Sequence, residues 1–214
     1  SPILSEHIKQ EEWHQVEKLY KQVTLNQFIV GGFLFLLLWI NIDNIFEIIP
    51  KGHIYSQGKY VVLFVGLAKL FDVITGINLS IIAYSKYFRF SLFLVVFLLV
   101  LTIITNKLFI PLWGISGAAF ATALSVFLNN LAALIIVYLK SRIHPFSVNN
   151  LKTLLLVVVC IVAGYLIPAF SNPWVDLIIR SGILGAIYFF GVLGLNLSDD
   201  ISRAFQSLFH IRVR

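Results

Sequence analysis

Two oppositely charged side chains, Lys69 and Asp72, lie inside a long apolar run, where their types and spacing could support binding chemistry. An ionisable side chain at the middle of a bilayer costs about 2.5–3.5 kcal/mol on insertion scales, so its presence requires a reason. The i,i+3 spacing places both on one helix face, which Thr75 and Gly76 extend. The pattern predicts either a polar face lining a water-filled cavity that handles a charged headgroup, or a self-satisfied ion pair that locks helix packing.

A second intramembrane cation, Arg180, follows Asp176 by four residues in a later apolar run. Asp176 is expected near the outer interface and Arg180 can extend toward it, which favours an ion pair. The alternative is a cationic site for a phosphate on a cavity wall. Asn129 and Asn130 are interpreted as groups that hydrogen-bond between helices.

The residues that metal and hydrolytic chemistry need are not gathered anywhere in the sequence. The histidines are scattered over terminal segments and loops without a metal-ligand spacing: His7, His14, His53, His144 and His210. No glycine-rich loop that could cradle a phosphate is present, and the lone Cys160 is expected to be a buried, inert thiol. The sequence therefore predicts neither an enzyme nor a metal or cofactor site.

The composition places these residues in a membrane. The chain has 214 residues, of which 59% are hydrophobic and 12% charged, with a mean hydropathy of +0.91. A soluble domain carries roughly 25% charged residues, so this chain lacks the charge needed to cover a water-facing surface. This composition excludes a disordered tail and a disulfide scaffold, and it nearly excludes a soluble enzyme. We therefore expect an integral membrane protein. Because the sequence contains no Met, the chain is also expected to begin inside a longer reading frame.

Six apolar spans can be drawn, each long enough for the roughly 20 residues that cross a bilayer core. They cover residues 23–42, 60–84, 90–110, 115–139, 151–170 and 174–195. Pro111 with Gly114 is expected to end the third span. Because the runs are continuous rather than alternating, they predict an all-α fold and not a closed β-barrel.

The distribution of lysine and arginine predicts the orientation of these spans. With a cytoplasmic N-terminus, the inside segments hold 11 of the 16 basic residues and the outside loops hold 3, namely Lys51, Lys59 and Lys107. This bias predicts that both ends of the chain are cytoplasmic. Basic loops facing anionic lipid account for the net charge of +6, so no nucleic-acid partner is expected.

Two flanking segments are expected to form amphipathic helices on the cytoplasmic membrane surface, with partner docking as the less favoured alternative. The first is a linker over residues 1–22, with an apolar stripe formed by Leu4, Ile8, Val16, Leu19 and Tyr20 that continues into Val23 at the start of the first span. The second is a tail over residues 196–214, in which Ser198 can act as the helix N-cap. Its stripe is formed by Ile201, Phe205, Leu208 and Phe209.

Small residues at four-residue spacing begin the fourth span and would let helix backbones approach closely. They form two rows, one with Gly114, Ala118 and Thr122 and the other with Gly117, Ala121 and Ser125. By itself this is a packing pattern that indicates no substrate.

The region around these rows resembles the C-terminal part of bacterial polysaccharide biosynthesis proteins. These are the O-antigen and lipid-linked oligosaccharide flippases of the multidrug/oligosaccharidyl-lipid/polysaccharide exporter superfamily. The shared pattern is a span ending in Asn, an apolar run, Pro, two residues, Gly and a small-residue helix start. Its positions are Asn106, Pro111, Gly114, Gly117, Ala118, Ala119, Ala121 and Thr122. A second set resembles the branch found in Bacteroidetes-type bacteria: Asp72, Gly76, Asn78, Ser85 and Lys86.

The resemblance implies that the six spans form most of the second lobe of a flippase with roughly 12–14 spans, whose partner is a missing N-terminal lobe of the same polypeptide. Rocking of the two lobes would move an undecaprenyl-diphosphate-linked oligosaccharide from the cytoplasmic to the outer leaflet of the bacterial inner membrane. No cofactor is implied. The residues expected to line the substrate cavity are Lys69, Asp72, Thr75, Asn78 and Arg180.

Two other functions stay open at this point. A cation-coupled drug exporter of the same superfamily would use Asp72 as its coupling site, although the adjacent Lys69 favours the charged carboxylate and makes it a poor proton or sodium carrier. A non-transporting membrane scaffold of a polysaccharide assembly complex would need neither residue for translocation.

Overall fold

The computed structural model describes residues 2–201 and 203, and within that range the regular secondary structure is helical, without a β-strand. The helices are α1 (Pro2–Lys9), α2 (Trp13–Ile40), α3 (Ile42–Ile48), α4 (Gly52–Tyr55), α5 (Lys59–Thr75), α6 (Ile77–Tyr84), α7 (Arg89–Ser141), α8 (Val148–Leu166) and α9 (Pro173–Gly194). A one-turn 3₁₀ helix, Ser56–Gly58, precedes α5. The predicted all-α class is confirmed for this part of the chain.

Four of these helices, α2, α7, α8 and α9, are long and apolar enough to cross a membrane. The expected single span over residues 60–84 is instead a bent pair, because α5 and α6 meet at Gly76 with an angle of 41° between them. Counting that pair as one span would add a fifth candidate crossing. The lengths and composition are those of an all-α membrane protein.

The longest helix, α7, has 53 residues but folds back on itself at Gly114. The hydroxyls of Thr105 and Ser125 lie 2.8 Å apart, and the rings of Phe109 and Phe120 meet edge to face at 4.8 Å. These pairs are separated by 20 and 11 residues and are centred on the same turn, so α7 is an antiparallel hairpin of two helical arms. The Thr105 hydroxyl also donates to the carbonyl of Ala121, at 3.2 Å.

The turn depends on a backbone conformation that favours glycine. Gly114 has φ +56° and ψ −127°, which is the mirror image of the extended region. Residues that carry a Cβ rarely adopt this conformation. Pro111 lies inside the helix, just before this point. The expected stop at Pro111 and Gly114 is therefore a reversal at Gly114, with Pro111 in the last turn of the first arm.

The chain folds into two compact units, and the first holds the residues up to Thr24 together with Gly58–Phe146. Aromatic contacts pack α5 along the second arm of α7, with ring centroids 5.1 Å apart for Phe64 and Phe120 and 4.5 Å apart for Phe71 and Phe127. A separate apolar core of this unit is formed by Leu4, Ile8, Val16, Tyr20, Ile81, Ile82, Leu94, Ala133, Val137 and Ile143.

The expected linker helix over residues 1–22 is two helices in the structure. α1 ends at Lys9, the chain turns through Glu11 with φ +56°, and α2 then continues from Trp13 into the first predicted span. The apolar stripe residues Leu4 and Ile8 are buried in the core of the first unit rather than presented to a membrane surface. An amphipathic stripe can be buried against lipid or against protein, and its pattern does not distinguish the two. Here it packs into the apolar core of the first unit.

The second unit comprises Leu25–Gln57 and the chain from Ser147 onward. Its core lies between α2, α8 and α9 and contains the buried thiol of Cys160. The other members of that core are Leu25, Ile29, Leu36, Ile40, Leu156, Val157, Leu184, Tyr188, Val192 and Leu197.

Polar side chains link α2, α8 and the segment after α9 at one end of the second unit. Ser198 donates to the side-chain oxygen of Asn26 at 2.5 Å, and Asn149 donates to the carbonyl of Leu197 at 3.0 Å. The backbone N–H of Ile201 donates to Ser198 at 3.4 Å, in agreement with the expected N-cap. The remaining predicted stripe residues of the tail, Phe205, Leu208 and Phe209, lie outside the described residues.

Candidate functional site

The predicted pair of Lys69 and Asp72 is present on α5 and has a third member. The ammonium of Lys69 lies 3.6 Å from one carboxylate oxygen of Asp72, and the side-chain amide of Asn130 donates to the other oxygen at 3.0 Å. Asn130 belongs to the second arm of α7, so its amide links two helices, as the sequence predicts. We call these three residues the open polar cluster.

The ion pair of the open polar cluster is exposed on the surface of the first unit, whereas Asn130 is buried. The side chain of Lys69 is 73% exposed and that of Asp72 is 40% exposed. Val65 and Leu79, which lie on the same exposed stripe of α5 and α6, are apolar and also exposed. A partly exposed ion pair between lipid-compatible side chains is costly in hydrocarbon, so this surface requires water, protein or a polar headgroup beside it.

Thr75 and Asn78, two further residues predicted to line a cavity, do not share this outward face. Both are fully buried within the first unit. The hydroxyl of Thr75 donates to the carbonyl of Phe71 at 2.8 Å, and Asn78 accepts a hydrogen bond from the hydroxyl of Tyr20. The amide nitrogen of Asn78 has no hydrogen-bond partner within the described part of the chain.

Helix geometry explains why these residues separate from the cluster. A step of three residues falls about 60° short of a full turn, because an α-helix has 3.6 residues per turn. The steps from Asp72 to Thr75 and on to Asn78 therefore rotate progressively away from the face of the ion pair. Gly76, which follows Asp72 by four residues, stays on the exposed face.

Arg180, the fifth predicted cavity residue, lies in the second unit and is buried there. Its guanidinium donates from Nε and Nη2 to the two carboxylate oxygens of Asp176, each at 3.1 Å. It also donates to the backbone carbonyls of Gly164 at 2.9 Å and Ile167 at 3.5 Å. The side chains of Arg180 and Asp176 are 11% and 3% exposed. This geometry matches the ion-pair interpretation and not that of a cation free to bind phosphate.

The Arg180 contacts also satisfy the end of a neighbouring helix. Gly164 and Ile167 lie at the C-terminal end of α8, where carbonyls have no partner within the helix and the helix dipole favours a cation. Asp176 in turn accepts from the backbone N–H of Phe170 at 3.1 Å and from the side-chain amide of Asn44 on α3. We call Arg180, Asp176 and Asn44 the closed polar cluster.

Only one of the two predicted small-residue rows forms a packing seam. Gly117, Ala121 and Ser125 are buried where the two arms of α7 meet. A Cβ added at Gly117 would lie 2.0 Å from the carbonyl oxygen of Phe109 on the first arm. The other row is not buried: Gly114 and Thr122 are exposed, Ala118 is half-buried, and the Thr122 hydroxyl bonds back to the Ala118 carbonyl at 2.9 Å. Asn106, the first residue of the resemblance motif, is half-buried on the first arm.

Several polar residues that join helices are not among the predicted site residues. Tyr20 and Asn44 take part in the contacts described above, and Asn41 donates to the hydroxyl of Ser181 at 3.1 Å. A polar amide at or near the end of an apolar span is the only sequence signal for Asn41 and Asn44. That signal indicates a need for hydrogen bonds but not which helix provides them.

No group of three or more histidine, cysteine, aspartate or glutamate side chains able to hold a metal ion occurs in residues 2–201 and 203. Comparisons of the chain with protein-family models, curated proteins and solved structures find no match. The class that the fold and composition define is an all-α membrane protein, and the family resemblance depends on the sequence motifs alone.

Proposed function

We propose that this chain is one lobe of a bacterial inner-membrane transporter that moves a lipid-linked oligosaccharide across the bilayer. The cargo would be an undecaprenyl-diphosphate-linked sugar unit, passed from the cytoplasmic to the outer leaflet for cell-surface polysaccharide or lipopolysaccharide synthesis. The sequence resemblance supports the family, and the open polar cluster is the observation on which the proposal depends.

The contrast between the two polar clusters supports this assignment. In the closed cluster, Arg180 and Asp176 are buried and hydrogen-bonded on several sides, as a structural ion pair in a membrane should be. In the open cluster, the Lys69 ammonium makes a 3.6 Å contact and is otherwise largely exposed. An ammonium has three donors, so Lys69 retains hydrogen-bonding capacity toward a ligand.

The chemistry of the open cluster suits a diphosphate headgroup. Asn130 donates a hydrogen bond to the Asp72 carboxylate from a neighbouring helix, so this carboxylate keeps a partner when Lys69 moves. In the proposed cycle the Lys69 side chain gives up its contact with Asp72 and donates a charge-assisted hydrogen bond to a phosphate oxygen. Asp72 then repels the bound anion, so that the headgroup can leave when the lobes rock to the opposite side.

The proposal includes six crossings with both ends of the chain in the cytoplasm. The crossings would be α2, the bent pair α5 and α6, the two arms of α7, α8 and α9. The antiparallel contacts of α7 support counting its arms separately. The missing partner in this proposal is an N-terminal lobe of the same polypeptide, which would face the open cluster.

Accessibility labelling tests this topology. In a Cys160→Ala background, Ser56→Cys is expected to react with a membrane-impermeant maleimide in intact cells. Ser141→Cys is expected to react only after the membrane is permeabilised, because the basic segments should remain inside. Labelling of Ser141→Cys from outside, with Ser56→Cys protected, would mean that the orientation is inverted.

Removing the ion pair tests the proposed function itself. The double variant Lys69→Ala/Asp72→Ala leaves no unpaired charge, so it is expected to reach the membrane at the wild-type level. Its translocation should nevertheless fall on the order of tenfold, because one charge-assisted hydrogen bond to phosphate is lost. The measurement is complementation of a flippase-null strain by the full reading frame, together with the membrane level of each variant.

Matched variants separate the possible explanations. Lys69→Arg is expected to retain part of the activity, since the charge survives while its geometry changes. Lys107→Ala removes an exposed lysine from another helix of the same unit and should leave translocation unchanged. A well-expressed, fully active double variant would instead mean that Lys69 and Asp72 serve helix packing only. That result would favour the non-transporting membrane scaffold. Loss of activity in Asp72→Asn with full activity in Lys69→Ala would favour a cation-coupled exporter.

A further inference from the structure

Two lysines from distant parts of the sequence converge on one aromatic ring in the first unit. The ammonium of Lys86 lies 5.8 Å from the centroid of the Tyr87 ring, and that of Lys140 lies 5.6 Å from the same centroid. Lys140 is also 5.5 Å from the ring centroid of Phe90. These distances are within cation–π range, so the ring attracts both cations to one place.

The surroundings of this ring are both cationic and apolar. Arg89 and Arg142 follow within two residues of Tyr87 and Lys140, and both are exposed. Tyr84 and Phe88, which flank the turn between α6 and α7, are 48% and 54% exposed. Exposed aromatic rings beside exposed basic groups, at the ends of apolar helices, are typical of the headgroup layer of a membrane.

The carboxylate that contacts Lys86 does not neutralise its charge. Glu11 lies 3.4 Å from the Lys86 ammonium, but both side chains are 66% exposed. An ion pair of that exposure is weak and screened by salt, so the lysine can exchange it for another anion. Lys86 and Lys140 therefore remain available to a ligand with negative charge, and the exposed Arg89 and Arg142 lie close to them in the sequence.

We propose that the turn between α6 and α7 binds the phosphodiester of an anionic bilayer phospholipid. In this site Tyr84 and Phe88 enter the interfacial layer, Tyr87 positions the two ammonium groups, and Lys86 and Lys140 contact the lipid phosphate. A nucleic acid would match the charge, but the long apolar helix α7 that begins and ends at this site suits the headgroup layer of a membrane instead. The proposal requires only that the first unit spans a membrane and is independent of any transport activity.

Native mass spectrometry of the full chain, purified in a neutral detergent, tests the site. Wild-type protein titrated with phosphatidylglycerol is expected to retain one molecule more tightly than an equal amount of phosphatidylcholine. Each basic group near an anionic surface contributes about fivefold in affinity. Lys86→Gln/Lys140→Gln should therefore weaken phosphatidylglycerol retention roughly 25-fold and leave phosphatidylcholine retention unchanged. The control Lys51→Gln/Lys107→Gln removes the same charge elsewhere and should bind phosphatidylglycerol as the wild type does.

Variants of Tyr87 test whether the ring organises the site. Tyr87→Phe retains the ring face and should bind phosphatidylglycerol as the wild type does. Tyr87→Leu retains apolar bulk only, so its affinity for phosphatidylglycerol should fall roughly twofold to fivefold for each lysine that the ring positions. An excess of inorganic phosphate should not displace the lipid. Equal retention of the two lipids, equal losses in the double variant and its control, or displacement by inorganic phosphate would overturn the proposal.

Discussion

Replacing Arg180 by leucine is expected to lower the free energy of unfolding by about 3–5 kcal/mol, because Asp176 would remain buried without its counter-charge. The same change removes the donors that cap the Gly164 and Ile167 carbonyls at the end of α8. Arg180→Lys should recover part of the loss, since an ammonium restores charge but cannot contact both carboxylate oxygens and both carbonyls at once. The measurement is the unfolding transition of detergent-solubilised protein, followed by circular dichroism.

An exposed ion pair in the same unit provides the control. Arg203 lies 3.0 Å from Asp200, and its side chain is 72% exposed. Arg203→Gln is expected to change stability by less than about 1 kcal/mol, because water solvates the guanidinium and Asp200 keeps its hydrogen bond from Asn26. If Arg180→Leu and Arg203→Gln shift the transition equally, burial of the closed polar cluster contributes nothing, and the structural role of Arg180 is wrong.

Gly117→Ala is expected to destabilise the α7 hairpin by about 3 kcal/mol, the upper end of what overpacking typically costs. The added methyl group would lie 2.0 Å from the carbonyl oxygen of Phe109. A backbone atom cannot rotate away as a flexible side chain can, so the two arms must separate. Separation would lengthen the contact between Thr105 and Ser125.

Disulfide formation between the arms measures that separation directly. In a Cys160→Ala background, Thr105→Cys/Ser125→Cys should cross-link rapidly under mild oxidation, and adding Gly117→Ala should slow the reaction. Gly182→Ala is the matched control, because a Cβ there would meet no other described atom within 4 Å. That substitution is expected to leave stability unchanged or slightly raised, since alanine favours a helix more than glycine does. Equal cross-linking rates in the Gly117→Ala and Gly182→Ala backgrounds would contradict the close approach.

The parts of the structure that could be predicted are those set by neighbouring residues in the sequence. The pairing of Lys69 with Asp72 and of Arg180 with Asp176 follows from helical spacing, and the reversal near Gly114 follows from the special backbone freedom of glycine. The lengths of the apolar runs likewise predict helices of membrane-spanning size.

The parts that could not be predicted depend on contacts between distant segments. Spacing alone gave no reason to place Asn44 beside Asp176, or Tyr20 beside Asn78, because these pairs are separated by 132 and 58 residues. The same limit applies to the stripe on α1, which suits a membrane surface and a protein core equally well. The solvent exposure of a side chain decides whether such a stripe meets lipid or protein. That exposure is known only once the whole chain has packed.

The interrupted course of the second unit has a consequence for its biosynthesis. Its first part ends at Gln57, and its second part begins only at Ser147. At roughly 5–20 residues per second, a ribosome needs about 5–20 s to synthesise the intervening chain. During that interval Asn41 and Asn44 have no access to Ser181 and Asp176, their partners on α9, which does not yet exist. Asn41 can still donate to the Leu37 carbonyl of α2 in that interval, whereas Asn44 needs a substitute partner, such as interfacial water, until the last third of the chain arrives.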